Sequence, residues 1–560
     1  MSTHLHGAGG APGIALGRAV CYQPSTASRT ITDETPEAAI ARFEAAQAQA
    51  IANLNGLGER LRAEGRPNEA AIFEAQAILL EDPFLTDEVA RQVREAGSAL
   101  EDAITATTTQ MRVALEALDD AYMRERAADM DALGQALLGA LHGSTSALRD
   151  LPPGAIIVAP DLAPAETAEL RSGTVAGFAT AYGGPTGHTA ILARALGIPA
   201  VVGLGATALT IADGTDLIID GSNALLIAAP TDTERDTYRQ RATGERAADE
   251  RRRLAFRDQP GRLADGRAVG IWANIGDPAE AQVAAEHGAE GIGLFRTEFL
   301  FFQRTAPPSE DEQYQAYCAA LHAMQGRPVV IRTIDIGGDK PVPYIDMPPE
   351  ANPFLGTRSL RLCMQRPDLF ATQLRALLRA ATQGDLWIML PMIATLDDLR
   401  WGRAQLTAAA HTLAEAGVPH RANVRLGIMI ETPAAAVTAD LLAREAGFFS
   451  IGTNDLTQYT MAADRGLPDL ARRYPHDATA VFRLIALAAT AAHTAGIPIG
   501  VCGDLAGTPA AAAALAGLGI DELSMSPHDI PKIKEYLQSV TQAQATAAAQ
   551  AAQQPSYAPG

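Results

Sequence analysis

Three hydrophobic patterns succeed one another along the chain. Residues 34–145 place apolar side chains at helical spacing, as in Ile40, Phe43, Ala46, Ala50, Ile51, Leu54 and Leu57, the stripe of an amphipathic helix. Asp82-Pro83 and Gly97 punctuate this stretch, and Thr35-Pro36-Glu37 has the composition of a helix start. It predicts several antiparallel helices, a bundle or paired hairpins. On either side lie short apolar runs bounded by glycine and proline: a glycine turn and short strand in 7–22, then LPPGAIIVAPDLAP (151–164), GTVAGFATAYGG (173–184), AVVGLG (200–205) and DLIIDGSNALLIAAP (216–230). These predict a compact α/β unit with the helical block inserted after its first strand. Residues 231–262 are charged and helical in composition, a connecting helix.

From about residue 265 apolar runs alternate with helical stretches. The strand candidates are 268–274, 291–296, 328–334, 386–392, 424–431, 448–454, 497–502 and 522–525. Eight strands alternating with helices over roughly 270 residues fit a (β/α)8 barrel. The predicted fold is therefore a multidomain α/β protein: an α/β domain (1–33 and 146–230) with a helical insert (34–145), a linker helix (231–262) and a TIM-like barrel (263–537). The Ala/Gln-rich residues 538–560 are read as a low-complexity disordered tail.

Composition narrows the function classes. The net charge of −20, from 45 Lys+Arg against 65 Asp+Glu, argues against nucleic acid and anionic membranes as partners. It permits a basic protein partner, although plain solubility explains most of such a charge. The four cysteines are widely spaced with no C-x-x-C, so neither a zinc site nor a disulfide framework is indicated. No apolar run is long enough to span a bilayer, and the N-terminus has no secretory pattern. The expectation is a cytoplasmic protein without membrane insertion.

Candidate chemistry falls in two places. GGPTGHTA (183–190) ends a glycine-rich turn on His188 and opens a helix, and backbone N–H groups at a helix start favour an anion. An imidazole there has a nitrogen that can carry a phosphoryl group. Asp161, Glu166 and Thr167 follow the strand at 155–159, and Thr167 is able to hydrogen-bond a phosphohistidine. The second place is the set of strand ends, where barrels carry reactive groups. Arg296, Arg332 and Arg465 offer planar forks to phosphate or carboxylate. Glu431 and Asp455 are hard oxygen ligands suited to Mg2+ bridged to a substrate phosphate. Lys340 adds a mobile positive charge, and Cys502 is a thiol able to give a proton. Such a mouth suits a small, highly anionic phosphorylated acid.

Each residue alone has a plainer explanation: a rim salt bridge for an arginine, a small core residue for Cys502, a helix cap for Glu431 before Thr-Pro, a capping or surface residue for His188. Convergence at successive strand ends is what those explanations leave unaccounted for, because an unpaired buried charge is costly.

GGPTGHTAILARALGIPAVVG resembles the phosphohistidine segment shared by phosphoenolpyruvate-using phosphotransferases. GIGLFRTEFLF, RTIDIGGDK, NPFLGTRSLR, GIMIETPAA, IGTNDLTQYTMAADR, VCGDLAG and DELSMSP look like the motifs of their phosphoenolpyruvate-binding barrel. Their order, with the helical insert near the N-terminus, is similar to the Enzyme I family of the bacterial phosphoenolpyruvate-dependent sugar phosphotransferase system. The resemblance implies that His188 is the phosphorylated residue, that Glu431 and Asp455 hold Mg2+, and that Arg296, Arg332, Asn454, Asp455 and Arg465 grip phosphoenolpyruvate, with Lys340 and Arg358 adding charge nearby. It implies that Cys502 protonates the enolate that becomes pyruvate. The phosphoryl group would then pass to a small phosphocarrier protein, HPr, docked on the helical insert. The family works as a homodimer through its barrel, with domain swings carrying His188 between sites.

One departure stands out. The family's GGRTSHT reads GGPTGHT here, with Pro185 and Gly187 in place of Arg and Ser. The nucleophile remains, but a positive charge and a hydroxyl beside it are gone. Two alternatives compete with the relay enzyme. An ATP-linked dikinase or synthase would need a nucleotide-grasping domain for which no segment is free. A regulatory phosphoprotein that senses phosphoenolpyruvate gains weight from the altered turn.

Overall fold

The computed structural model describes residues 2–22, 35–63, 83–95, 97–116, 154–162, 175–184, 197–302, 306–338, 350–465 and 477–554, with isolated positions between them. It divides into two compact units.

The first unit holds an eight-stranded sheet. Its strands are β1 (Thr3–His6), β2 (Ala8–Ala11), β3 (Ile14–Cys21), β4 (Ala155–Ala159), β5 (Val175–Thr180), β6 (Ala200–Val202), β7 (Asp216–Asp220) and β8 (Leu225–Ala228), in the order β1-β8-β7-β3-β4-β5-β6-β2. β3 runs parallel to β4, with Arg18 opposite Ala155 and Cys21 opposite Val158. The chain therefore leaves and re-enters the sheet at neighbouring strands, and the intervening residues include the helices Pro36–Ala63, Pro83–Glu95 and Leu100–Glu116. Phe43, Leu80, Val89 and Ile104 form a core of their own among those helices, while Ile156, Val201, Ile219 and Leu226 fill one face of the sheet. Where the sequence predicts one short strand in 7–22, two form, β2 and β3, and β1 precedes them. β1 escapes the apolar pattern because it is an exposed edge strand, recognised only through its antiparallel pairing with β8.

The second unit is the barrel. β9 (Gly270–Ile275), β10 (Ile292–Arg296), β11 (Val329–Arg332), β12 (Leu386–Leu390), β13 (Arg425–Ile430), β14 (Phe449–Ile451), β15 (Ile499–Val501) and β16 (Glu522–Met525) pair in parallel and close, β16 against β9. All eight predicted strands are present in the predicted order. They read as near-continuous apolar runs because both faces are covered: Leu294, Val330, Met389, Met429 and Phe448 share one buried cluster with Cys502. Helices are started by local chemistry. Ser309 and Thr395 form capping boxes with Glu312 and Asp398, and Thr432 caps the turn after β13.

One expectation is overturned. Gln542–Ala552, assigned to a disordered tail, is a helix. Thr541 and Gln544 form a capping box at its start, and Ala545 and Ala549, one turn apart, are buried. The helix packs on the helix Pro509–Gly517, where a methyl added at Gly517 would collide with the Ala545 carbonyl. Alanine has the highest helix propensity, and here its small side chain also permits close helix contact. Residues 555–560 lie outside the described residues.

Candidate active site

The barrel mouth gathers the predicted strand-end residues. β11 ends on Arg332, buried with 5% exposure. Its guanidinium pairs with Glu298 and, at 3.1 Å, with Asp335. Asp335 also takes a two-pronged bond from Arg358, at 2.8 and 2.9 Å, and a hydrogen bond from the Ser359 hydroxyl. Arg358 continues to Asp455, at 3.2 Å, and Asp455 meets Arg465 at 3.4 Å. The result is a chain of alternating charges, Glu298–Arg332–Asp335–Arg358–Asp455–Arg465. Burial is tolerable because each member has an opposite neighbour.

Loop geometry makes this chain possible. Gly337 (φ 100°) bridges to Arg358, and a side chain there would collide with the Thr357 carbonyl. Behind the arginines, Thr297 donates to the Arg332 carbonyl at 2.8 Å and Gln373 donates to Thr297 at 3.1 Å. Sequence reasoning did not single out Ser359 and Gln373 for roles; nothing in their local spacing announces them.

Glu431, at the end of β13, is 1% exposed. Its Oε1 accepts the Met392 amide at 2.6 Å, and Met392 reaches it by adopting φ 56°, a costly conformation for a non-glycine residue. Oε2 is buried with no hydrogen-bond partner among the described residues. Gly452 faces it, and a methyl there would approach Oε2 to 3.0 Å. Burial raises the Glu431 carboxyl above its ordinary range, with Asp455 and Asp335 adding to the rise and Arg332 and Arg358 opposing it. An orphaned oxygen amid crowded carboxylates is a place for a cation. Among the described residues no group of three or more His, Cys, Asp or Glu could hold a metal alone. The protein offers two carboxylates, Glu431 and Asp455, the number expected when a substrate phosphate completes the sphere.

Two predicted residues stand differently. Arg296, at the end of β10, is partly exposed, and its side chain has no hydrogen bond or ion pair among the described residues. Asn454 is engaged with Asp504, donating to its carboxylate at 3.1 Å and accepting its amide at 3.2 Å. Arg358 is wholly buried, so its charge reaches the mouth through Asp335 and Asp455. Cys502 follows β15, 2% exposed, and burial pushes its thiol up to about 12. It is a neutral S–H at physiological pH.

The turn carrying His188, with Pro185 and Gly187, lies outside the described residues, as do Lys340, Glu166 and Thr167. Its flanks are described. Gly183 adopts φ 91° beside the Asp161 carboxylate, and Asp161 accepts the Thr189 hydroxyl at 2.9 Å. The residue after His188 is thus tied to the end of β4.

Comparison with known proteins agrees with this layout. Residues 250–542 match the family described as PEP-utilising enzyme, PEP-binding domain; residues 6–126 match its N-terminal domain and residues 151–224 its mobile domain. The phosphoenolpyruvate-protein phosphotransferase of Geobacillus stearothermophilus is 42% identical over 97% of this chain and 94% of its own length. That of Bacillus subtilis (strain 168) is 39% identical over 97% and 95%, and that of Haloferax volcanii is 43% identical over 88% and 86%. A solution structure of Enzyme I (nEIt) is 32% identical, covers 43% of this chain and 99% of that one, and has a TM-score of 0.35, too low to bear on the fold.

Proposed function

This chain belongs to the phosphoenolpyruvate-protein phosphotransferase family, and from that premise we propose how its residues divide the work. The enzyme transfers the phosphoryl group of phosphoenolpyruvate to protein and releases pyruvate, as the first step of a sugar phosphotransferase system. His188 is the acceptor: its ring nitrogen forms the N–P bond as the P–O bond to the enol oxygen breaks. Arg296, Arg332, Asn454, Arg465 and Lys340 bind the phosphate and carboxylate, with Arg358 holding Asp335 and Asp455 in place. Glu431 and Asp455 hold Mg2+, which supplies Lewis-acid polarisation of the phosphoryl oxygens when bound. Cys502 then gives its proton to C3 of the enolate, completing pyruvate.

The observation that carries this reading is the mouth itself. Arg296 has no described ion-pair partner, while Glu431 keeps an unpartnered buried oxygen. A phosphorylated acid with a bridging cation satisfies both at once. The domains follow the boundaries given above, except that the helix Gln542–Ala552 joins the barrel, with 34–145 as the docking insert for the phosphocarrier protein HPr and the barrel as the homodimer interface. Phosphoenolpyruvate supply places the work in the cytoplasm. Among the described residues no helix is long and apolar enough to cross a membrane.

The test is incubation with labelled phosphoenolpyruvate, Mg2+ and HPr. Label that is acid-labile, alkali-stable and absent from His188→Ala supports the phosphohistidine, and transfer to HPr supports the relay. Self-labelling without transfer to any carrier would favour a regulatory phosphoprotein, the reading that Pro185 and Gly187 keep in play.

A further inference from the structure

Glu522 opens β16 at the end of the barrel opposite the mouth, and its carboxyl is turned into the lumen. A methyl added at Gly500 of β15 would collide with its Oε2, and one at Gly293 of β10 would collide with its Oε1. β15 adjoins β16, but β10 lies beyond β9, so only a side chain crossing the interior reaches both. The two glycines make a niche for this carboxyl. Oε1 is buried without a hydrogen-bond partner among the described residues, although the residue as a whole keeps some solvent exposure. Burial drives the carboxyl well above the ordinary carboxylate range, and Asp521 adds to it. Among the described residues no cation opposes the rise, which favours the protonated form.

Ser450, Gly500 and Glu522 stand in register on β14, β15 and β16. With no side chain at Gly500, the Glu522 carboxyl fills the space over that residue, at the level of Ser450 in the barrel. Cys502 lies two residues beyond Gly500, on the same face and about 6.6 Å further along at 3.3 Å per residue. Its thiol neighbours both: the Ser450 hydroxyl lies beside it and lowers its pKa, and an ionised Glu522 would raise it. Arg332 and Arg296 act on the thiol in the opposite sense.

A thiol that has given up its proton must regain one before the next turnover, and Cys502 is sealed in an apolar cluster. We propose that Glu522 returns this proton from the floor of the barrel. In the product-forming step the Cys502 S–H bond breaks and a C–H bond forms at C3, leaving a thiolate. In the return step the Glu522 O–H bond breaks and the S–H bond reforms, the proton passing by the Ser450 hydroxyl, which takes one proton as it gives up another. The carboxylate then takes a proton from solvent at the floor. No electrons are exchanged. Glu522 acts through Cys502 and touches no substrate, and the inference rests on Cys502 as the enolate's proton donor.

Glu522→Gln preserves size and removes the acid. Its kcat for pyruvate formation should fall about tenfold with kcat/KM for phosphoenolpyruvate unchanged, because the slowed step follows labelling, and with a larger solvent deuterium isotope effect. Single-turnover labelling of His188, which precedes protonation, should keep its rate. Glu522→Asp should recover part of the loss, and Glu522→Gln should cost nothing further in a Cys502→Ala background. The relay is overturned by a parental kcat in Glu522→Gln, by an Asp variant no better than the Gln variant, by labelling that falls with kcat, or by losses that multiply in the double variant. Parental turnover in Cys502→Ala alone would instead overturn the reading of Cys502.

Discussion

The mouth and the floor of the barrel each bury a glutamate with an oxygen that no described group hydrogen-bonds, Glu431 above and Glu522 below. Their surroundings are opposite. Glu431 sits among Asp335, Asp455, Arg332 and Arg358, where positive charge is at hand and an incoming cation can hold it ionised. Glu522 sits between two glycines, with Asp521 as the charged neighbour that shifts it, so a proton is what neutralises it. Burial pushes both carboxyls the same way. Their chemistry is set by the company each keeps: one is prepared for a cation, the other for keeping a proton.

If that contrast is right, the ends should respond differently to loss of charge. The largest effect belongs to Arg358, which is wholly buried and paired with both Asp335 and Asp455. Arg358→Ala removes the shared partner of two buried carboxylates, leaving Asp335 to Arg332 and Asp455 to Arg465, and should destabilise the barrel by about 3–5 kcal/mol, read as a fall in denaturant midpoint. Arg358→Lys should not restore it, because a point charge cannot make the two-pronged bond to Asp335. A variant that melts like the parent would mean the charge chain is not buried in solution.

Next comes Arg296, at the same mouth but without an ion-pair partner among the described residues. Removing it strands nothing. Arg296→Ala should leave the melting temperature nearly unchanged and weaken phosphoenolpyruvate binding by about 1.5–3 kcal/mol, the worth of a hydrogen bond to a charged group. Calorimetric titration checks this, and unchanged affinity would remove Arg296 from the binding set.

At the floor the effect is a pH dependence. The folded-state pKa of Glu522 lies above its unfolded value. Above about pH 4.3 the unfolded chain sheds a proton that the folded protein keeps. Stability therefore drains away as pH rises, by up to about 1.36 kcal/mol per pH unit, until the buried group itself ionises. Glu522→Gln cannot lose that proton. Its melting temperature should gain on the parent's as pH rises from about 4 to 7, and a difference that stays flat would show the carboxyl solvated or paired.

The mouth was far more legible in the sequence than the floor, for a physical reason. Each barrel strand is a short apolar run, and the point where polarity resumes is its C-terminal end. Arg296, Arg332, Glu431, Asp455 and Cys502 could be read there without knowing any contact. Asp335 as the shared clamp of Arg332 and Arg358 could not, since it depends on the Gly337–Arg358 bridge across a loop. Met392 holds Glu431 through a left-handed backbone, which no local signal assigns to methionine. Glu522 points inward because of Gly293 and Gly500, separated in the chain and joined only by barrel closure. β1 was hidden in the same way, its partner β8 lying at the far end of the first unit's sequence.

The Ala/Gln stretch after 540 was misread because its composition serves disorder and tight helix packing equally. The distinguishing signal was present: Thr541 followed three residues later by Gln544, a capping box. That helix packs on the outer ring of barrel helices, with the Gln542 amide donating to Asp265 at 2.7 Å and Arg267 reaching both Gln542 and the Ala516 carbonyl. Thr541→Ala removes the cap and should cost about 1 kcal/mol, the smallest effect anticipated here. Its location makes it informative. Amide exchange should quicken in 542–552 and in the helix Pro509–Gly517, while phosphoenolpyruvate affinity at the mouth stays at the parental value. Were affinity to fall as well, the two ends of the barrel would be coupled, and the separation between a cation-seeking mouth and a proton-holding floor would have to be given up.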